Sequence, residues 1–458
     1  MIPTSITQYL SDNRDRHLES LKEYLRFPSV ANVDGGDEDP CKLCALWLAD
    51  YLGQLGLQAE ILPTSGKPNV LASMHVSDHA PTLLVYGHYD VQPPDPLDLW
   101  ESDPFEAEIR DGYIYARGAN DDKGQLFTHL AAIEAWMQCG GLPVNVKVFV
   151  EGEEETGSPD LERFITEHAE ALSADTIVVS DSAFFADEVP SITYALRGLT
   201  YVELTVTGPS VDVHSGEHGG ALANPINALT AMVAGMHDSE GRITLPGFYD
   251  DVTDLCEEER QGWARLPFNA ERYAESMGVV SLGGGESAFS DLERLWSRPT
   301  LDCNGIVGGY TGAGSKTIIP SSASVKISMR LVPHQRPEKI VESIRQYVTE
   351  NTPPGVTCEM EVFAGARPVL MARDSAPVRA ASDALEEAFG KPASMIRCGA
   401  SVPVTELFQR ILGIDAVMMG FGLPGDRLHS PNERFALKQF TRGSIAAAAF
   451  IGNLAAAE

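Results

Sequence analysis

The sequence of 458 residues predicts an α/β protein, in which a mostly parallel mixed sheet is sandwiched by helices and a smaller α+β domain is inserted. Up to residue 179, helical patterns alternate with short apolar runs, which is typical of parallel sheets covered on both faces. From about Leu199 the order becomes strand, helix, strand, strand, helix, strand, which is typical of a separate α+β (βαββαβ) unit. We therefore expect a large domain formed by residues 1–197 and 369–458, and an inserted domain at 198–368.

The elements of the large domain follow from the spacing of its apolar residues. Its helices are predicted at Arg14–Leu25, Lys42–Leu55, Gln125–Cys139, Leu161–Leu172, Val378–Phe389 and Leu437–Ala457, and its strands at Thr82–Tyr86, Val144–Val150, Thr176–Val179 and Ile414–Met419. The strand runs are short and largely apolar, as expected for strands buried on both faces.

The inserted domain is predicted from alternating apolar residues and two helical segments. Its strands are expected at Tyr201–Thr207, Thr300–Val307, Ser324–Leu331 and Thr357–Phe363, and its helices at Pro225–Met236 and Pro337–Thr349. A long stretch without strong strand signals, at about 238–299, separates the first helix from the second strand. A stretch of this length predicts a further insertion that elaborates the domain.

Charge and composition exclude several classes of protein. Lys and Arg number 34 and Asp and Glu 65, which gives a formal net charge of −31. This charge repels nucleic acid and anionic membrane surfaces, so we expect neither as a partner. The sequence shows no secretory leader pattern and no apolar stretch near the ~20 residues of a membrane span. Seven cysteines, an odd number, do not describe a disulfide framework, and we expect a cytoplasmic protein.

Acidic and histidine residues directly follow three of the predicted strands. His88 follows the first of these runs, Glu154 and Glu155 the second, and Asp181 the third. In open α/β sheets, ligand sites gather outside the carboxyl ends of the strands. The sequence therefore predicts that these side chains converge on one site.

The residue types in these motifs are those of a two-metal hydrolase. Two divalent ions are expected to be held by one histidine and one carboxylate each, with one further carboxylate shared, and water completing each site. The predicted ligands are His88, Asp121, Glu155, Asp181 and His429, with Asp121 as the shared residue. Imidazole and carboxylate ligands without thiolate suit zinc, the first choice, or manganese or cobalt.

Two further carboxylates receive catalytic roles. Asp90, two residues after His88, is predicted to orient that imidazole. Glu154 is predicted to be the general base, which takes a proton from the bridging water and delivers it to the leaving amine. Glycines at 152 and 157 permit the backbone angles that let neighbouring carboxylates converge.

Each motif also has a simpler interpretation. His88 and Asp90 could occupy a surface turn, Asp121 could cap a helix, and Cys41 and Cys44 suit helix packing better than a zinc site.

Two other functions are alternatives to a metal-dependent hydrolase. The glycine-rich run Gly309–Thr317 suggests a nucleotide-binding enzyme, but it departs from the phosphate-loop pattern. A third alternative is a metal-stabilised binding protein without turnover.

Taken together, the motifs resemble a known family. They are Gly87–Pro93, Arg117–Gly118 with Asp121–Gln125, Glu151–Gly152 with Glu154–Glu155, Asp212–Gly216, Lys316–Pro320, Arg330–Pro333 and His429–Glu433. The chain is similar over nearly its whole length to the clan MH metallopeptidases related to carnosine dipeptidases, carboxypeptidase G and aminoacylases. The similarity is greatest to the longer dipeptidase branch.

The resemblance implies a zinc-exopeptidase-like catalytic domain and assigns roles within the inserted domain. That domain would be a lid and a homodimer interface, and His214 would act in the partner subunit's site by stabilising the oxyanion of the tetrahedral intermediate. Arg330 would grip the substrate's terminal carboxylate, and Ser401 would contact the substrate.

The resemblance also implies the reaction. We expect a dipeptidase that cleaves dipeptides or short peptides with a free C-terminal carboxylate through a metal-bridging hydroxide, or alternatively a deacylase of N-acyl amino acids. Two departures from the family affect substrate preference. The chain has Cys398 and Ala400 where close relatives carry glutamate and glycine, and Asp374–Pro377 contains no histidine where some dipeptidases place one.

Overall fold

The chain forms two compact units. The computed structural model describes residues 2–33 and 36–456. One unit comprises residues 1–194, 371–396 and 403–458, and the other comprises 195–370 and 397–402. Residues 397–402 were predicted in the large domain, whereas the structure groups this segment with the second unit. The reason is tertiary, because Arg397 forms an ion pair with Glu259, and Ser401 Oγ donates a hydrogen bond to the backbone oxygen of Arg197.

Strands and helices occur throughout both units. The strands are β1 Gln58–Leu62, β2 Asn69–Met74, β3 Thr82–His88, β4 Glu108–Arg110, β5 Tyr113–Tyr115, β6 Asn145–Glu151, β7 Thr176–Val179, β8 Ser191–Leu196, β9 Gly198–Thr207, β10 Val213–His214, β11 Thr300–Gly308, β12 Ile318–Ile319, β13 Ser322–Leu331, β14 Thr357–Ala366, β15 Val369–Leu370, β16 Ser394–Cys398, β17 Ala416–Met418 and β18 Arg434–Ala436. The helices are α1 Thr4–Asp12, α2 Arg14–Leu25, α3 Pro40–Gln54, α4 Lys123–Gln138, α5 Leu161–Glu167, α6 Ala169–Leu172, α7 Ser215–His218, α8 Pro225–Ala234, α9 Glu257–Ala264, α10 Ala270–Ser276, α11 Asp291–Trp296, α12 Pro337–Asn351, α13 Ala376–Phe389, α14 Pro403–Leu407 and α15 Leu437–Ala456.

A nine-stranded mixed sheet forms the centre of the first unit, and seven of its strands follow the order β1-β2-β6-β3-β7-β17-β8. The four central strands β6, β3, β7 and β17 run parallel, and the flanking strands β2 and β8 run antiparallel to them. The prediction of an α/β fold with a mostly parallel mixed sheet and flanking helices is confirmed. Because β3, β6 and β7 are parallel neighbours, the residues that follow them emerge at one edge of the sheet.

Helix α4 lies in the core of the first unit. All of its residues from Lys123 to Ala135 are buried, and it packs against β3 and α15. A helix buried on every side is expected where layers meet on both its faces. Helix α15 was predicted to reach Ala457, which lies outside the described residues. Within residues 2–33 and 36–456, no helix combines the length and apolar character needed to cross a membrane.

Glu134 on α4 ties the two N-terminal helices to the core. Its carboxylate accepts hydrogen bonds from Tyr9 Oη at 2.7 Å and from Arg16, and its Oε2 lies 3.2 Å from His17 Nε2. Burial acts to raise the pKa of Glu134, but the hydrogen bonds from His17, Arg16 and Tyr9 outweigh burial and lower the pKa to about 2. The carboxylate form is therefore stabilised in the folded protein.

Substitution of Glu134 by glutamine is expected to lower the free energy of unfolding at pH 7 by about 2 kcal/mol, the magnitude for hydrogen bonds to a charged group. Because the folded-state pKa lies below the ordinary value of about 4.3, this stabilisation is present at neutral pH and is lost as the pH falls toward 2. Urea unfolding of both proteins at several pH values should show the difference between them shrinking below about pH 5. A difference that stays constant down to pH 3 would contradict this account.

The second unit contains a four-stranded antiparallel sheet in the order β11-β13-β9-β14. The chain order β9, α8, β11, β13, α12, β14 is the predicted βαββαβ arrangement. Along β9 and β13, buried and more exposed residues alternate, so one face of the sheet packs against α8 and α12. The other face is left more open.

The stretch at 238–299 carries three short helices, α9, α10 and α11, joined by turns and loops. The rings of Trp263 and Trp296, from α9 and α11, meet edge to face at 5.1 Å. Arg298 and Glu286 form a buried ion pair through two hydrogen bonds of 2.9 Å. Because the ring contact joins two different helices and the ion pair is buried, side-chain contacts hold the stretch together without strands.

Candidate metal centre

The predicted metal ligands of the first unit come from five different segments. His88 is the last residue of β3 and is fully buried, and Asp181 lies two residues after the end of β7. Glu155 lies in a short 3-10 helix that follows β6, and Asp121 lies just before α4. His429 lies in the loop between β17 and β18 with a φ of 57°, a conformation in which few residues other than glycine are found.

The structure brings these five side chains together around Asp121. Oδ1 of Asp121 lies 3.1 Å from Nε2 of His88, and Oδ2 lies 3.0 Å from Nε2 of His429. His88, Asp121 and Asp181 form one group that could hold a metal ion, and Asp121, Glu155 and His429 form a second. Within each group the ligand atoms lie within 4.8 Å of one another. Each oxygen of Asp121 therefore faces a different group.

The charges at this centre match what two cations would balance. Burial raises the pKa of Asp181 to about 7, and the neighbouring Asp121 carboxylate raises it further. Hydrogen bonds to Asp121 and Glu155 raise the pKa of His429 to about 10. Burial acts to lower the pKa of His88, but hydrogen bonds with Asp121 and Asp90 raise it well above its ordinary value. Protons on the imidazoles offset the carboxylates, and divalent cations between the same atoms would do so in their place.

Asp90 is fully buried and contacts both His88 and the loop after β6. Its backbone oxygen lies 3.0 Å from His88 Nδ1, and its Oδ1 lies 3.4 Å from the same nitrogen. Its carboxylate also accepts hydrogen bonds from the backbone nitrogens of Glu154 at 3.2 Å and Glu155 at 3.0 Å. Asp90 therefore fixes the loop that carries the two glutamates, a contact that the sequence analysis did not anticipate.

Glu154 lies beside the ligands and belongs to neither group of three. Burial raises its pKa to about 9, and His88 acts in the opposite direction. Cations near this carboxyl group would favour its ionised form.

Glu433 is a further buried residue of the centre, and the sequence analysis quoted it only as part of a motif. Its Oε1 accepts hydrogen bonds from the backbone nitrogens of Asn120 at 2.9 Å and Asp121 at 3.1 Å. Its Oε2 accepts from the backbone nitrogen of Gly118 at 3.0 Å and from Arg117 Nη1 at 2.7 Å. Because Glu433 lies four residues after His429, it fastens the two loops that carry Asp121 and His429 to each other.

Two other polar residues of this region were missed. Gln92 Nε2 donates a hydrogen bond of 2.9 Å to Oε2 of Glu155, and Asn120 Nδ2 donates one of 2.8 Å to Oδ2 of Asp426. The signal in the sequence that could have identified Gln92 and Asn120 was their polar side chains and their position close to the predicted site residues. Which of them turn inward depends on tertiary contacts that no spacing rule provides.

The remaining predicted residues lie in the second unit. His214 ends the two-residue strand β10 and is exposed, and its Nδ1 accepts a hydrogen bond of 3.0 Å from the backbone nitrogen of Gly216. Arg330 lies near the end of β13, and its Nη1 donates a hydrogen bond of 3.3 Å to Ser401 Oγ. The structure therefore brings Arg330 and Ser401 together and shows no contact of either with His214.

Comparison with known proteins identifies the class of enzyme. Residues 84–453 match the description "Peptidase family M20/M25/M40". The chain therefore belongs to this peptidase family, and the prediction of a metallopeptidase of this kind is confirmed.

Individual relatives span nearly the whole chain. Human Beta-Ala-His dipeptidase is 31% identical, covering 98% of this chain and 92% of its own. The Cys-Gly metallodipeptidase of Candida albicans is also 31% identical, covering 95% and 93%. A solved M20 family metallo-carboxypeptidase from Sulfolobus solfataricus superposes with a TM-score of 0.85 at 33% identity, covering 96% of this chain and 99% of that one. The predicted resemblance to dipeptidases of this family is thus confirmed.

Proposed function

We propose that this protein hydrolyses the amide bond of dipeptides or short peptides that carry a free C-terminal carboxylate. The observation that carries this proposal is Asp121, whose two oxygens face two different groups of imidazole and carboxylate ligands. Relatives of similar length are named as dipeptidases for β-Ala-His and Cys-Gly, which supports small peptides as substrates.

The ligand assignment is part of the proposal. His88, Asp121 and Asp181 would hold one divalent ion, and Asp121, Glu155 and His429 the other. Such ions, when bound, lower the pKa of water and polarise a carbonyl group. Zinc is our first choice, and manganese or cobalt suits the same ligands.

The catalytic roles of the protein groups follow from their positions. Glu154 would accept the proton of the attacking water and pass it to the leaving nitrogen, because it lies in the loop beside the ligand Glu155 and belongs to neither ligand group. Asp90 holds His88 and the backbone of Glu154 and Glu155 in place. In this assignment Asp90 positions its neighbours, and the carboxylate of Glu154 transfers protons.

Three residues of the second unit take the roles that the resemblance to the family implies. Arg330 would bind the terminal carboxylate of the substrate through its planar guanidinium, and Ser401, which accepts a hydrogen bond from Arg330, would contact the substrate beside it. His214 would stabilise the developing oxyanion in the site of a second copy of the chain. Its exposed position suits a residue that acts on another molecule.

Homodimer formation is part of the same proposal. Strand β11 is an edge strand of the second unit's sheet, and its Ile306 and Val307 are 57% and 69% exposed. Apolar side chains on an open strand edge favour association with another chain.

A cytoplasmic location is a further prediction from the sequence.

Activity on free dipeptides is the test that separates this function from its closest rival. The metal-free protein should gain activity when zinc, manganese or cobalt is added, and free dipeptides should be hydrolysed with a higher kcat/KM than N-acetyl amino acids. Turnover of N-acetyl amino acids alone would establish the deacylase, and no turnover of either class with any of the three metals would refute both.

A further inference from the structure

Two arginines of the second unit are held on one short loop, Gly399–Ser401. The backbone nitrogen of Arg197 donates a hydrogen bond of 3.2 Å to the oxygen of Ala400, and its Nε donates one of 3.1 Å to the oxygen of Gly399. Ser401 Oγ donates to the backbone oxygen of Arg197 and accepts a hydrogen bond of 3.3 Å from Arg330 Nη1. The loop therefore fixes both arginines next to each other.

Neither arginine has an acidic partner among the residues that the structure describes. Among residues 2–33 and 36–456, no carboxylate forms an ion pair with Arg197 or Arg330. Burial lowers the pKa of Arg197 to about 10, and the neighbouring positive charge of Arg330 lowers it further. Cys398 and Asp302 act in the opposite direction on this pKa. Asp302 is exposed, and its carboxylate accepts a hydrogen bond from Thr300. Two neighbouring guanidinium groups without a counter-charge favour the binding of an anion.

The loop packs closely around the guanidinium of Arg197. Gly399 allows the close contact, because a Cβ at this position would lie 2.6 Å from Arg197 Nη2. The loop is thus shaped around the guanidinium of Arg197, which reduces the entropy lost when that group binds a ligand.

We infer that Arg197 and Arg330 form a paired anion subsite, and that the enzyme prefers substrates whose C-terminal residue carries two carboxylates. The inference rests on the proposed function, in which Arg330 binds the terminal carboxylate. One carboxylate matches the fork of one guanidinium, so the terminal carboxylate alone leaves the second arginine unbalanced. The side-chain carboxylate of a C-terminal glutamate or aspartate offsets it.

Dipeptides that differ only in this charge provide the test. With one N-terminal residue throughout, kcat/KM for a C-terminal glutamate should exceed that for a C-terminal glutamine by about 10- to 100-fold, as expected for charge-assisted hydrogen bonds. The same order should hold for aspartate over asparagine. Because each pair has nearly the same shape, the ratio isolates the effect of charge.

Substitutions at the subsite should change this ratio. Arg197→Gln should bring the glutamate-to-glutamine ratio close to one, mainly through a higher KM for the glutamate substrate, and Arg197→Lys should keep part of it. Cys398→Glu should also lower the ratio, because the new carboxylate competes for the arginines. Arg345→Gln is the matched control, because Arg345 lies on α12 and its ion pair, with Glu342, is at the surface.

The outcomes separate the inference from the proposed function. Equal kcat/KM for glutamate and glutamine substrates in the wild-type enzyme would overturn the inference and leave the dipeptidase intact. Folded Arg197→Gln and Arg197→Lys enzymes that both keep the wild-type ratio would overturn it as well. Failure to hydrolyse any dipeptide would instead refute the proposed function.

Discussion

Substitution of Glu154 by glutamine is expected to lower kcat for dipeptide hydrolysis by about 10²- to 10⁴-fold, the range for a group that transfers protons. Glutamine keeps the shape of the side chain but cannot accept a proton. Metal content should not change, because Glu154 belongs to neither ligand group. Steady-state kinetics and metal analysis of the same protein samples measure both effects. Loss of one metal ion would show that Glu154 is a ligand, and unchanged kcat would show that the base lies elsewhere.

Glu153→Gln is the matched control for this experiment. It is the same substitution at the preceding residue, but the carboxylate of Glu153 lies against Gly66, where an added Cβ would come 2.1 Å from its Oε1. A loss of charge in the loop is therefore common to both variants, whereas the loss of a proton acceptor at the metal centre is specific to Glu154→Gln. We expect Glu153→Gln to retain activity.

The inactive Glu154→Gln protein also tests the trans role of His214. Mixed with inactive His214→Asn, it should regain roughly a quarter of wild-type activity, since half of randomly mixed dimers are heterodimers and each has one intact site. A His214 that acts within its own chain would give no recovery, because every site would then carry one defect.

The convergence of the ligands could be predicted because it depends on local sequence and on one rule of topology. Apolar runs ending at Tyr86, Val150 and Val179 identify buried strands, and parallel strands end at one edge of the sheet. The register confirms this, since β3 pairs in parallel with both β6 and β7. Helix α2 begins and ends at the predicted residues, Arg14 and Leu25.

Features that depend on contacts between distant segments could not be predicted. Strands β4 and β5 are three residues long and pair with each other, and β5 also pairs with β18, which lies more than 300 residues later in the chain. Strands this short have no clear periodicity. The position of Arg397–Val402 follows from side-chain contacts with Glu259 and Arg197. In both cases the partner cannot be identified from the local pattern.

The contacts of Glu433 at the metal centre also could not be predicted from the local sequence. The prediction with the greatest consequence for metal binding concerns this residue. Glu433→Gln is expected to weaken the binding of both divalent ions by about 10- to 100-fold, the range for groups that orient metal ligands. Each carboxylate oxygen of Glu433 now accepts two hydrogen bonds. An amide presents an NH₂ group to one pair of these donors, so two of the four hydrogen bonds are lost.

Loss of these hydrogen bonds should weaken the binding of both metal ions, because the loop that Glu433 holds carries Asp121, the shared ligand. Calorimetric titration of metal-free protein with zinc measures affinity and stoichiometry, without relying on activity. Asp181→Asn is the contrasting variant, since Asp181 belongs to one ligand group only and its replacement should weaken one ion selectively.

Glu134→Gln separates positioning from general stability. Glu134 and Glu433 are both buried, and each forms an ion pair with an arginine. Glu134, however, contacts helices α1 and α2 rather than the loops that carry the metal ligands. If Glu433 only stabilised the fold, the two variants would lose stability and metal affinity in the same proportion. We expect instead that Glu134→Gln loses stability and keeps its metal affinity, while Glu433→Gln loses affinity for both ions, because the main chain of Asp121 is no longer held where its two oxygens face different groups.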